Sequence, residues 1–326
     1  MKVLVTGASG LIGRWCCDLL HREGHDVVGT DIQPKPDETG DWAFRTCDLL
    51  DGAAVQALFS DVAPTHLLHL AARTDLDGNS VADYAVNTLG VTHVLDAVAT
   101  TPSVIRAVYT SSQLVCRVGH IPTRDDEYLP STPYGESKVE TEIRVRAADG
   151  GGVSWCLARP TTVWGPHMSA HYRSLLQRIE TGRFFHSGAG PLYKSYSFAG
   201  NIAYQYKKLL MADGLAINRR VFYLADYEPL ALRDYVNHLA EALQARQPIT
   251  LPLPVARILA WCGDGLGSFG VKFPYNSFRL NNIRTEYIFD LRPTEEVCGP
   301  LPFSFDEGVA ETIAWHKALS EKEARK

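Results

Sequence analysis

Thr6-Gly7-Ala8-Ser9-Gly10-Leu11-Ile12-Gly13 is the stretch that decides the fold. It joins the apolar run Val3–Val5 to a helical pattern that extends from Leu11 to Arg22, so it predicts a strand–turn–helix unit. Glycines here allow a tight turn and a close backbone approach to a pyrophosphate, and the helix N-terminus adds partial positive charge. The stretch predicts a dinucleotide site formed by Gly7, Ser9, Gly10, Leu11, Ile12 and Gly13.

Asp31 ends the second predicted strand, 18 residues after Gly13. A carboxylate at this distance is placed to bind a ribose 2′-hydroxyl. No arginine follows Asp31 directly, and the negative charge of Asp31 would repel a 2′-phosphate, so the sequence predicts NAD rather than NADP as cofactor. The alternative is a plain turn with a surface aspartate.

Strands and helices alternate through the first half of the chain. This rhythm predicts an α/β fold: a Rossmann-type doubly wound parallel sheet with helices on both faces. The predicted strands are Val3–Thr6, Val27–Thr30, Ala43–Cys47, Leu67–Ala71, Ala107–Thr110 and Ser154–Ala158. The predicted helices are Leu11–Arg22, Ala53–Phe59, Val81–Ala99 and Tyr134–Ala147.

After Pro160 the alternation loosens and prolines become frequent, which indicates a smaller C-terminal lobe. We expect an NAD-binding domain over residues 1–165, with 194–226 returning to it. A substrate-binding lobe would comprise residues 166–193 and 227–326. The helices predicted in this half are Tyr172–Thr181, Asn201–Met211, Leu232–Gln244 and Phe305–Leu319, with a strand at Arg220–Leu224.

Composition excludes several classes of protein. The 326 residues carry a net charge of −5, without the basic excess typical of nucleic-acid binding. Seven cysteines without a C-x-x-C pair indicate no disulfide framework, and no metal-ligand cluster accompanies the histidines, which favours a reduced, cytoplasmic setting without a metal. The apolar region Leu251–Val271 contains two prolines and four glycines and is not expected to span a membrane.

A tyrosine and a lysine stand four residues apart in Tyr134-Gly135-Glu136-Ser137-Lys138, on one face of a predicted helix. A nearby ammonium favours the phenolate and lowers the pKa of a tyrosine from about 10. Ser112 lies 22 residues upstream, after a predicted strand, where its hydroxyl can hold a substrate oxygen. These residues predict proton transfer by Tyr134, coupled to hydride transfer with the cofactor.

The chain resembles the extended branch of the short-chain dehydrogenase/reductase family, which includes nucleotide-sugar epimerases, dehydratases and ketoreductases. The matching segments recur in order along most of the chain. They are the glycine turn, Cys47-Asp48-Leu49, His69-Leu70-Ala71-Ala72, Val86-Asn87-Thr88, Tyr109-Thr110-Ser111-Ser112, the Tyr134–Lys138 pair and Arg159-Pro160-Thr161-Thr162-Val163-Trp164-Gly165-Pro166.

The resemblance implies a role for each matching position. Ser112, Tyr134 and Lys138 would be catalytic. Further cofactor contacts would come from Asp48, Leu49, Leu70, Ala71, Ala72, Asn87, Tyr134, Lys138 and Pro160. Substrate contacts would come from Thr74, Ser111, Ser112, Thr162, His167, Lys194, Tyr196 and Arg279. The helices at Val81–Ala99 and Tyr134–Ala147 would pair across a two-fold axis, giving a homodimer.

We therefore expect a nucleotide-sugar 4-epimerase that uses NAD, with a nucleotide-sugar or sugar-diphosphate substrate. The alternatives are an NAD(P)H-dependent ketoreductase or alcohol dehydrogenase of the same branch, and a dinucleotide-sensing regulator without catalysis. Dehydratase chemistry is disfavoured, because the acidic pair of the family's dehydratases is replaced here by Gln113 and Leu114. A glutamine cannot exchange a proton at neutral pH.

Overall fold

The computed structural model describes residues 1–271, 273 and 275–324, without the side chains of Ala170 and His171. They form two compact units. Unit 1 comprises Met1–Val163, Ser197–Tyr227 and Phe289–Phe303. Unit 2 comprises Trp164–Tyr196, Glu228–Ile288 and the residues from Ser304.

Strands and helices are numbered in chain order. The strands are β1 Lys2–Thr6, β2 Asp26–Asp31, β3 Ala43–Thr46, β4 His66–His69, β5 Arg106–Thr110, β6 Ser154–Pro160, β7 Thr162–Trp164, β8 Phe185–Ser187, β9 Tyr193–Lys194, β10 Tyr196–Phe198, β11 Arg220–Leu224, β12 Leu230–Ala231 and β13 Ile249–Leu251. The helices are α1 Leu11–Arg22, α2 Gly52–Val62, α3 Val91–Thr100, α4 Pro133–Ala147, α5 Asp149–Gly152, α6 Ala170–Glu180, α7 Ala199–Met211, α8 Gly214–Ile217, α9 Leu232–Ala242, α10 Leu253–Ser268, α11 Ser277–Arg284, α12 Arg292–Cys298 and α13 Phe305–Ala324.

A seven-stranded sheet forms the centre of unit 1, in the order β11-β6-β5-β4-β1-β2-β3. All of its neighbouring strands run parallel. This confirms the predicted Rossmann-type doubly wound sheet.

Side chains alternate between the two faces of this sheet, as the two-residue period of a strand requires. Leu67 of β4 and Leu157 of β6 join a core with α2 and α3. Leu68 and Cys156, their immediate neighbours, join a second core with α1 and α7. Because both faces are covered by helices, the central strands β1 and β4 are buried at nearly every position instead of alternating between buried and exposed.

Unit 2 is built from short pieces of sheet and helix pairs. Strand β13 pairs with β8 in parallel, and β12 pairs with β9 antiparallel. Helix α9 packs against α6 and α13, and α10 packs against α11.

The segment from Val81 to Ala99 is more broken than the sequence predicts. One helix was expected, but a 3₁₀ turn covers Val81–Tyr84 and a π-helical stretch covers Val86–Gly90 before α3 begins. The wide π turn places the Asn87 amide against the backbone of Arg73. Hydrophobic spacing does not encode that contact, which explains why the prediction was wrong here.

Helix α10 is absent from the sequence-based expectation. Pro252 and Pro254 open the segment and three glycines interrupt it, and both features normally argue against a helix. In the structure, Pro254 lies in the first turn, where its missing N–H costs no hydrogen bond. Gly263 is required by packing, because a Cβ there would lie 1.9 Å from the Tyr275 carbonyl oxygen.

A fully buried ion pair joins α4 to β6. The Arg159 guanidinium donates to both Glu142 carboxylate oxygens, at 2.7 and 2.8 Å. The carboxylate also accepts from the hydroxyls of Ser111, at 2.6 Å, and Tyr128, at 3.0 Å. Arg159 further donates to the hydroxyl of Tyr223, at 2.9 Å. This network compensates the large cost of removing two charges from water.

Arg159→Met should lower the free energy of unfolding by about 3–5 kcal/mol, because the buried Glu142 carboxylate loses both hydrogen bonds from Arg159 and keeps only Arg146, at 3.9 Å, as a nearby cation. Urea denaturation followed by circular dichroism measures this change. Arg292→Met is the matched control, since Arg292 pairs with Asp290 at the surface and exposed pairs contribute little. Equal urea midpoints for the two variants would contradict the stabilising role of the buried pair.

Candidate active site

The carboxyl ends of five adjacent strands meet at one edge of the unit 1 sheet. Strands β2, β1, β4, β5 and β6 end at Asp31, Thr6, His69, Thr110 and Pro160. The glycine turn, the segment after β4 and the serine turn after β5 all start at this edge. Parallel α/β sheets bind their ligands outside the carboxyl ends of the strands. Most of the residues expected to bind cofactor are therefore neighbours in space.

The glycine turn depends on close backbone contacts. Gly7 has a φ of +72°, and a Cβ there would lie 2.7 Å from the amide nitrogen of Ala71. A Cβ on Gly13 would lie 2.1 Å from the Gly7 carbonyl oxygen. Gly10 directly precedes Leu11, the first residue of α1, so no side chain covers the backbone amides there. The turn thus leaves the positive end of the helix open to an anion.

Asp31 is held beside this turn. Its carboxylate accepts from the backbone amides of Ser9 and Gln33, each at 3.0 Å. The side chain of Arg14 donates to the carbonyl oxygen of Ser9, at 2.8 Å. The carboxylate and the turn are therefore fixed relative to each other before any ligand arrives.

Asp48 and Leu49 follow β3 at the same end of the sheet. The exposed Asp48 carboxylate accepts from the amide of Leu50, at 2.9 Å, and forms a local turn. Leu49 is buried, and its carbonyl oxygen bonds the ring of His93 on α3, at 2.8 Å. The structure therefore presents the Asp48 side chain outward and anchors Leu49 inward.

The segment Leu70–Ala72 is tied to β1 through one hydroxyl. Thr6 Oγ1 lies 3.2 Å from the amide nitrogens of Leu70 and Ala71, and 2.9 Å from His69 Nδ1. Burial and the charge of Lys138 lower the pKa of His69 to about 3, so the imidazole is neutral. With its lone pairs facing two amides, the hydroxyl donates its proton to Nδ1. His69 is thus a structural residue.

The side-chain amide of Asn87 bonds the backbone of Arg73 and the side chain of Ser137. Its amide accepts from the backbone nitrogen of Arg73, at 2.9 Å, and donates to the carbonyl oxygen of Arg73, at 3.0 Å. It also donates to the Ser137 hydroxyl on α4, at 2.9 Å. Asn87 therefore links the chain that follows β4 to the helix that carries Tyr134 and Lys138.

The two serines after β5 have different tasks. Ser112 Oγ accepts from the amide of Leu114, at 3.1 Å, and the hydroxyl can still donate to a ligand. Ser111 Oγ donates to the buried carboxylate of Glu142, at 2.6 Å. In this structure the Ser111 hydroxyl therefore supports the ion pair, although substrate contact was expected of it.

Tyr134 lies in the first turn of α4. The helix is capped by Thr132 Oγ1, which accepts from the amide of Gly135 at 3.0 Å. Gly135 has no room for a side chain, because a Cβ would lie 2.3 Å from the carbonyl oxygen of Leu114. The start of α4 thus packs against the turn that begins at Ser112, and Tyr134 is carried to that turn.

Lys138 is buried one helical turn beyond Tyr134, and its ammonium donates to the carbonyl oxygen of Thr110, at 2.6 Å. Burial lowers the pKa of Lys138 to about 8, while the charge of Glu142 acts in the opposite direction. The ammonium is therefore mostly protonated at neutral pH. A cation and a hydroxyl next to a phenol can support proton transfer at a substrate oxygen.

Three polar side chains near the serine turn and β4 have different surroundings: Gln113, Thr162 and Thr74. The amide of Gln113 donates to Thr162 Oγ1, at 3.3 Å, beside the serine turn. Thr74 is exposed after the segment that follows β4. Neither Gln113 nor Leu114 can exchange a proton, so this part of the edge lacks the acid–base pair that a dehydration needs.

In unit 2, Lys194 is engaged within the protein. Its ammonium donates to the backbone carbonyl oxygen of Asn282 and, at 3.1 Å, to the Asn282 side chain. Burial lowers the pKa of Lys194 to about 8. Lys194 thus holds α11, whereas a contact to a substrate diphosphate was expected.

Three further residues expected to contact substrate lie in unit 2. Arg279, in the first turn of α11, is half-buried, and burial and the charge of Arg178 lower its pKa. The Tyr196 ring packs 5.9 Å from the ring of Tyr235. His167 has a φ of +71° and lies 5.8 Å from the ring of Trp315.

Sequence reasoning missed the roles of Glu142 and Gly135. Glu142 follows Lys138 by four residues, so the spacing from Tyr134 through Lys138 to Glu142 marks one helix face. A carboxylate on the face that carries Tyr134 and Lys138 was a signal for a buried partner. The role of Gly135 had no such signal, because the contact with Leu114 depends on tertiary packing.

The edge fits a dinucleotide. The open N-terminus of α1 suits a pyrophosphate, and the fixed Asp31 carboxylate suits a ribose hydroxyl. The ammonium of Lys138 lies at the end of β5, on the far side of β1 and β4 from Asp31. An extended ligand would therefore cross the edge between these two charged groups.

No group of three or more His, Cys, Asp or Glu side chains in the described part of the chain is arranged to hold a metal ion. None of the helices in residues 1–271, 273 and 275–324 has the length and apolarity needed to cross a membrane.

Several curated relatives match almost the whole chain, and two of them have different activities in their names. The N-acetyl-alpha-D-glucosaminyl-diphospho-ditrans,octacis-undecaprenol 4-epimerase of Escherichia coli O157:H7 is 26% identical, over 99% of this chain and 97% of the relative. The 2-alkyl-3-oxoalkanoate reductase of Stenotrophomonas maltophilia is 29% identical, over 95% and 97%.

The fold is shared with solved structures. The UDP-glucose 4-epimerase of Thermus thermophilus, in complex with NAD, superimposes with a TM-score of 0.72 at 21% identity, over 97% of this chain and 99% of the other. The model of the NAD dependent epimerase/dehydratase family matches residues 3–194, more than half of the chain. With the glycine turn, Asp31, Tyr134 and Lys138 assembled at one sheet edge, the protein belongs to the NAD dependent epimerase/dehydratase family and is an enzyme that uses NAD.

Proposed function

We propose that this enzyme is a 4-epimerase for a sugar attached to a diphosphate, with a nucleotide sugar as the first substrate class to test. The observation that carries the proposal is the packing of Gly135 on Leu114, which brings Tyr134 beside the Ser112 turn. The epimerase relative from Escherichia coli supports the same chemistry, and it is named for a sugar linked to diphospho-undecaprenol.

In the proposed reaction, Ser112 donates a hydrogen bond to the oxygen at sugar C4. Tyr134, as phenolate, takes the proton of that hydroxyl when C4 is oxidised, and returns it when C4 is reduced from the other face. The ammonium of Lys138 stabilises the phenolate. Bound NAD supplies the acceptor and donor of the C4 hydride. Atoms and electrons balance over the cycle, because both the proton and the hydride return to the sugar.

We propose that residues of both units contact the substrate. Thr74 and Thr162 lie at the sheet edge of unit 1 and would contact the sugar. In unit 2, Arg279 is the cation proposed for the diphosphate, together with His167 and Tyr196. Lys194 is a less suitable diphosphate ligand than expected, since its ammonium already bonds Asn282.

The engagement of Lys194 favours a second candidate, a reductase or dehydrogenase of an alcohol that carries no diphosphate. The relative from Stenotrophomonas maltophilia, named as a 2-alkyl-3-oxoalkanoate reductase, supports it. The same Tyr134, Lys138 and Ser112 would serve a single oxidation or reduction. The two candidates differ in whether the cofactor is consumed.

The enzyme should be incubated with NAD in D₂O. The candidate substrates are UDP-, GDP- and dTDP-sugars and an N-acetylglucosaminyl-diphospho-polyprenol. We expect the enzyme to convert one of them to its C4 epimer. The product should keep its mass and no NADH should accumulate, because the hydride returns to the sugar. Mass spectrometry and chromatography of the released sugar measure this. Net consumption of NADH with a ketone as substrate would establish the reductase instead. Loss of one water from the product, after correction for deuterium taken up from the solvent, would contradict the roles of Gln113 and Leu114.

Tyr134→Phe is the matched variant for the same assay. It should lower the rate by about 10²–10⁴-fold, the usual cost of losing a general acid–base group, and leave NAD affinity nearly unchanged. Tyr204→Phe is its control, because the Tyr204 ring lies on α7 against Lys207 and Lys208. A normal rate for Tyr134→Phe would contradict the proton-transfer role.

Asp31→Ala should weaken NAD binding, and Asp31→Arg should shift the preference towards NADP, because the carboxylate would no longer repel a 2′-phosphate. Isothermal titration with each cofactor gives the ratio of affinities. Asp26→Ala is the control, since Asp26 is an exposed carboxylate at the opposite end of the same strand. An unchanged NAD/NADP ratio in both Asp31 variants would make Asp31 a surface residue without a cofactor role.

We also propose a homodimer in the cytoplasm. Two large apolar side chains, Leu89 before α3 and Ile143 on α4, are about half exposed and support pairing of these helices. The seven cysteines are free, which agrees with a reducing compartment. Light scattering at micromolar concentration should give the mass of two chains, and Ile143→Glu should give that of one. A wild-type mass of one chain would remove the dimer.

A further inference from the structure

The chain that follows β4 folds back on itself around a buried tyrosine. Tyr84 ends the 3₁₀ turn Val81–Tyr84 and is fully buried. Its hydroxyl donates to the carbonyl oxygen of Asp75, at 2.9 Å, and accepts from the amide of Gly78, at 3.1 Å. A buried phenol needs such partners, because an unpaired hydroxyl away from water costs free energy. Residues 73–84, which we call the 73–84 loop, are therefore tied to this one side chain.

Further contacts fix the position of the Tyr84 ring. A Cβ on Gly78 would lie 2.5 Å from this ring, so the loop backbone lies directly against it. The Arg73 guanidinium lies over the ring, 5.0 Å from its centre. It donates two hydrogen bonds to the Asp75 carboxylate, at 2.8 and 3.0 Å, and one to the carbonyl oxygen of Asp83, at 2.9 Å. Both the backbone and the side chains of the 73–84 loop thus hold the ring.

The Tyr84 ring packs against the proposed proton-transfer residue. The rings of Tyr84 and Tyr134 have their centres 5.9 Å apart and their planes inclined by 56°. Inclined aromatic rings at this distance attract each other. Asn87 joins the same two segments, because its amide bonds the backbone of Arg73 and the hydroxyl of Ser137 on α4. The 73–84 loop is therefore connected to α4 both at the Tyr134 ring and through Asn87.

Helix α4 by itself does not fix the Tyr134 ring. Tyr134 lies in the first turn of the helix, and its backbone position leaves rotation about two side-chain bonds. For proton transfer, the phenol oxygen must keep its place beside Ser112 and Lys138. A displacement of about 1 Å within an active site can lower the rate by about 10²-fold. A neighbouring ring that is itself fixed restricts this rotation.

We propose that Tyr84 is a positioning residue for Tyr134: the 73–84 loop fixes the Tyr84 ring, and that ring keeps the Tyr134 phenol in place. This role of Tyr84 rests on the proton transfer proposed for Tyr134. Tyr84 takes no part in the proton transfer itself, because both hydrogen bonds of its hydroxyl stay within the loop.

Carbon-13 NMR of the full chain with saturating NAD tests this role, in protein labelled at the Cζ atom of its tyrosines. The Cζ chemical shift reports whether each phenol is ionised, and the Tyr134 signal is the one that Tyr134→Phe lacks. In the wild type this signal should titrate at lower pH than an ordinary tyrosine, whose midpoint is about 10. The reason is that the Lys138 ammonium favours the phenolate.

Tyr84→Leu should move the midpoint of the Tyr134 titration to higher pH by about one unit or more, because the phenol no longer keeps its place beside the ammonium. Tyr84→Phe is the matched variant. It keeps the ring and removes only the hydroxyl, so its midpoint should stay close to that of the wild type. Unchanged signals of the buried Tyr109 and Tyr206 show that unit 1 keeps its fold. A merely structural role of Tyr84 would lower the melting temperature and leave the midpoint unchanged.

Gly78→Ala displaces the Tyr84 ring without replacing it, because the added Cβ would lie 2.5 Å from that ring. It should raise the same midpoint, and it decides the outcome if Tyr84→Leu loses the fold. Asn79→Ala is its control, since Asn79 is exposed at the next position of the loop. An unchanged midpoint in both Tyr84→Leu and Gly78→Ala would overturn the positioning role alone. A wild-type Tyr134 that titrates like an ordinary tyrosine would overturn the proton-transfer role as well.

Discussion

The buried ion pair of Glu142 and Arg159 is the interaction on which the candidate active site depends. Glu142 lies one helical turn after Lys138, and Arg159 lies in β6, next to the strand that ends at the serine turn. Because both charges are fully buried, the pair needs its two mutual hydrogen bonds and those that Ser111 and Tyr128 donate to the carboxylate. It therefore fixes the position of α4, and with it the two side chains that would perform the proton transfer.

Close backbone approach is the second constraint at this edge. At Gly7, Gly13 and Gly135 the neighbouring backbone leaves no space for a Cβ. Each glycine therefore allows two backbone segments to lie in direct contact. The first two shape the turn at the start of α1, and the third brings α4 onto the serine turn. Close backbone packing thus acts together with the ion pair to bring the start of α4 to the serine turn.

The two units place different demands on their apolar residues. In unit 1, the sheet buries its side chains beneath helices on both faces, and the core is complete within the unit. In unit 2, α10 buries alanine and glycine and leaves isoleucine and tryptophan exposed. Exposing large apolar side chains to water costs solvation free energy unless another surface covers them.

The sequence by itself determined the parallel sheet, the glycine turn with Asp31, and the pairing of Tyr134 with Lys138 on one helix face. These features follow from strand and helix periodicity and from turn chemistry, which act over a few residues. Tertiary structure alone decided that Ser111 bonds Glu142, that Lys194 bonds Asn282 and that the stretch before α3 opens into a π turn. It also made a helix of α10 despite its prolines and glycines. The partner of a buried polar group lies far away in the chain, so local patterns carry no information about it.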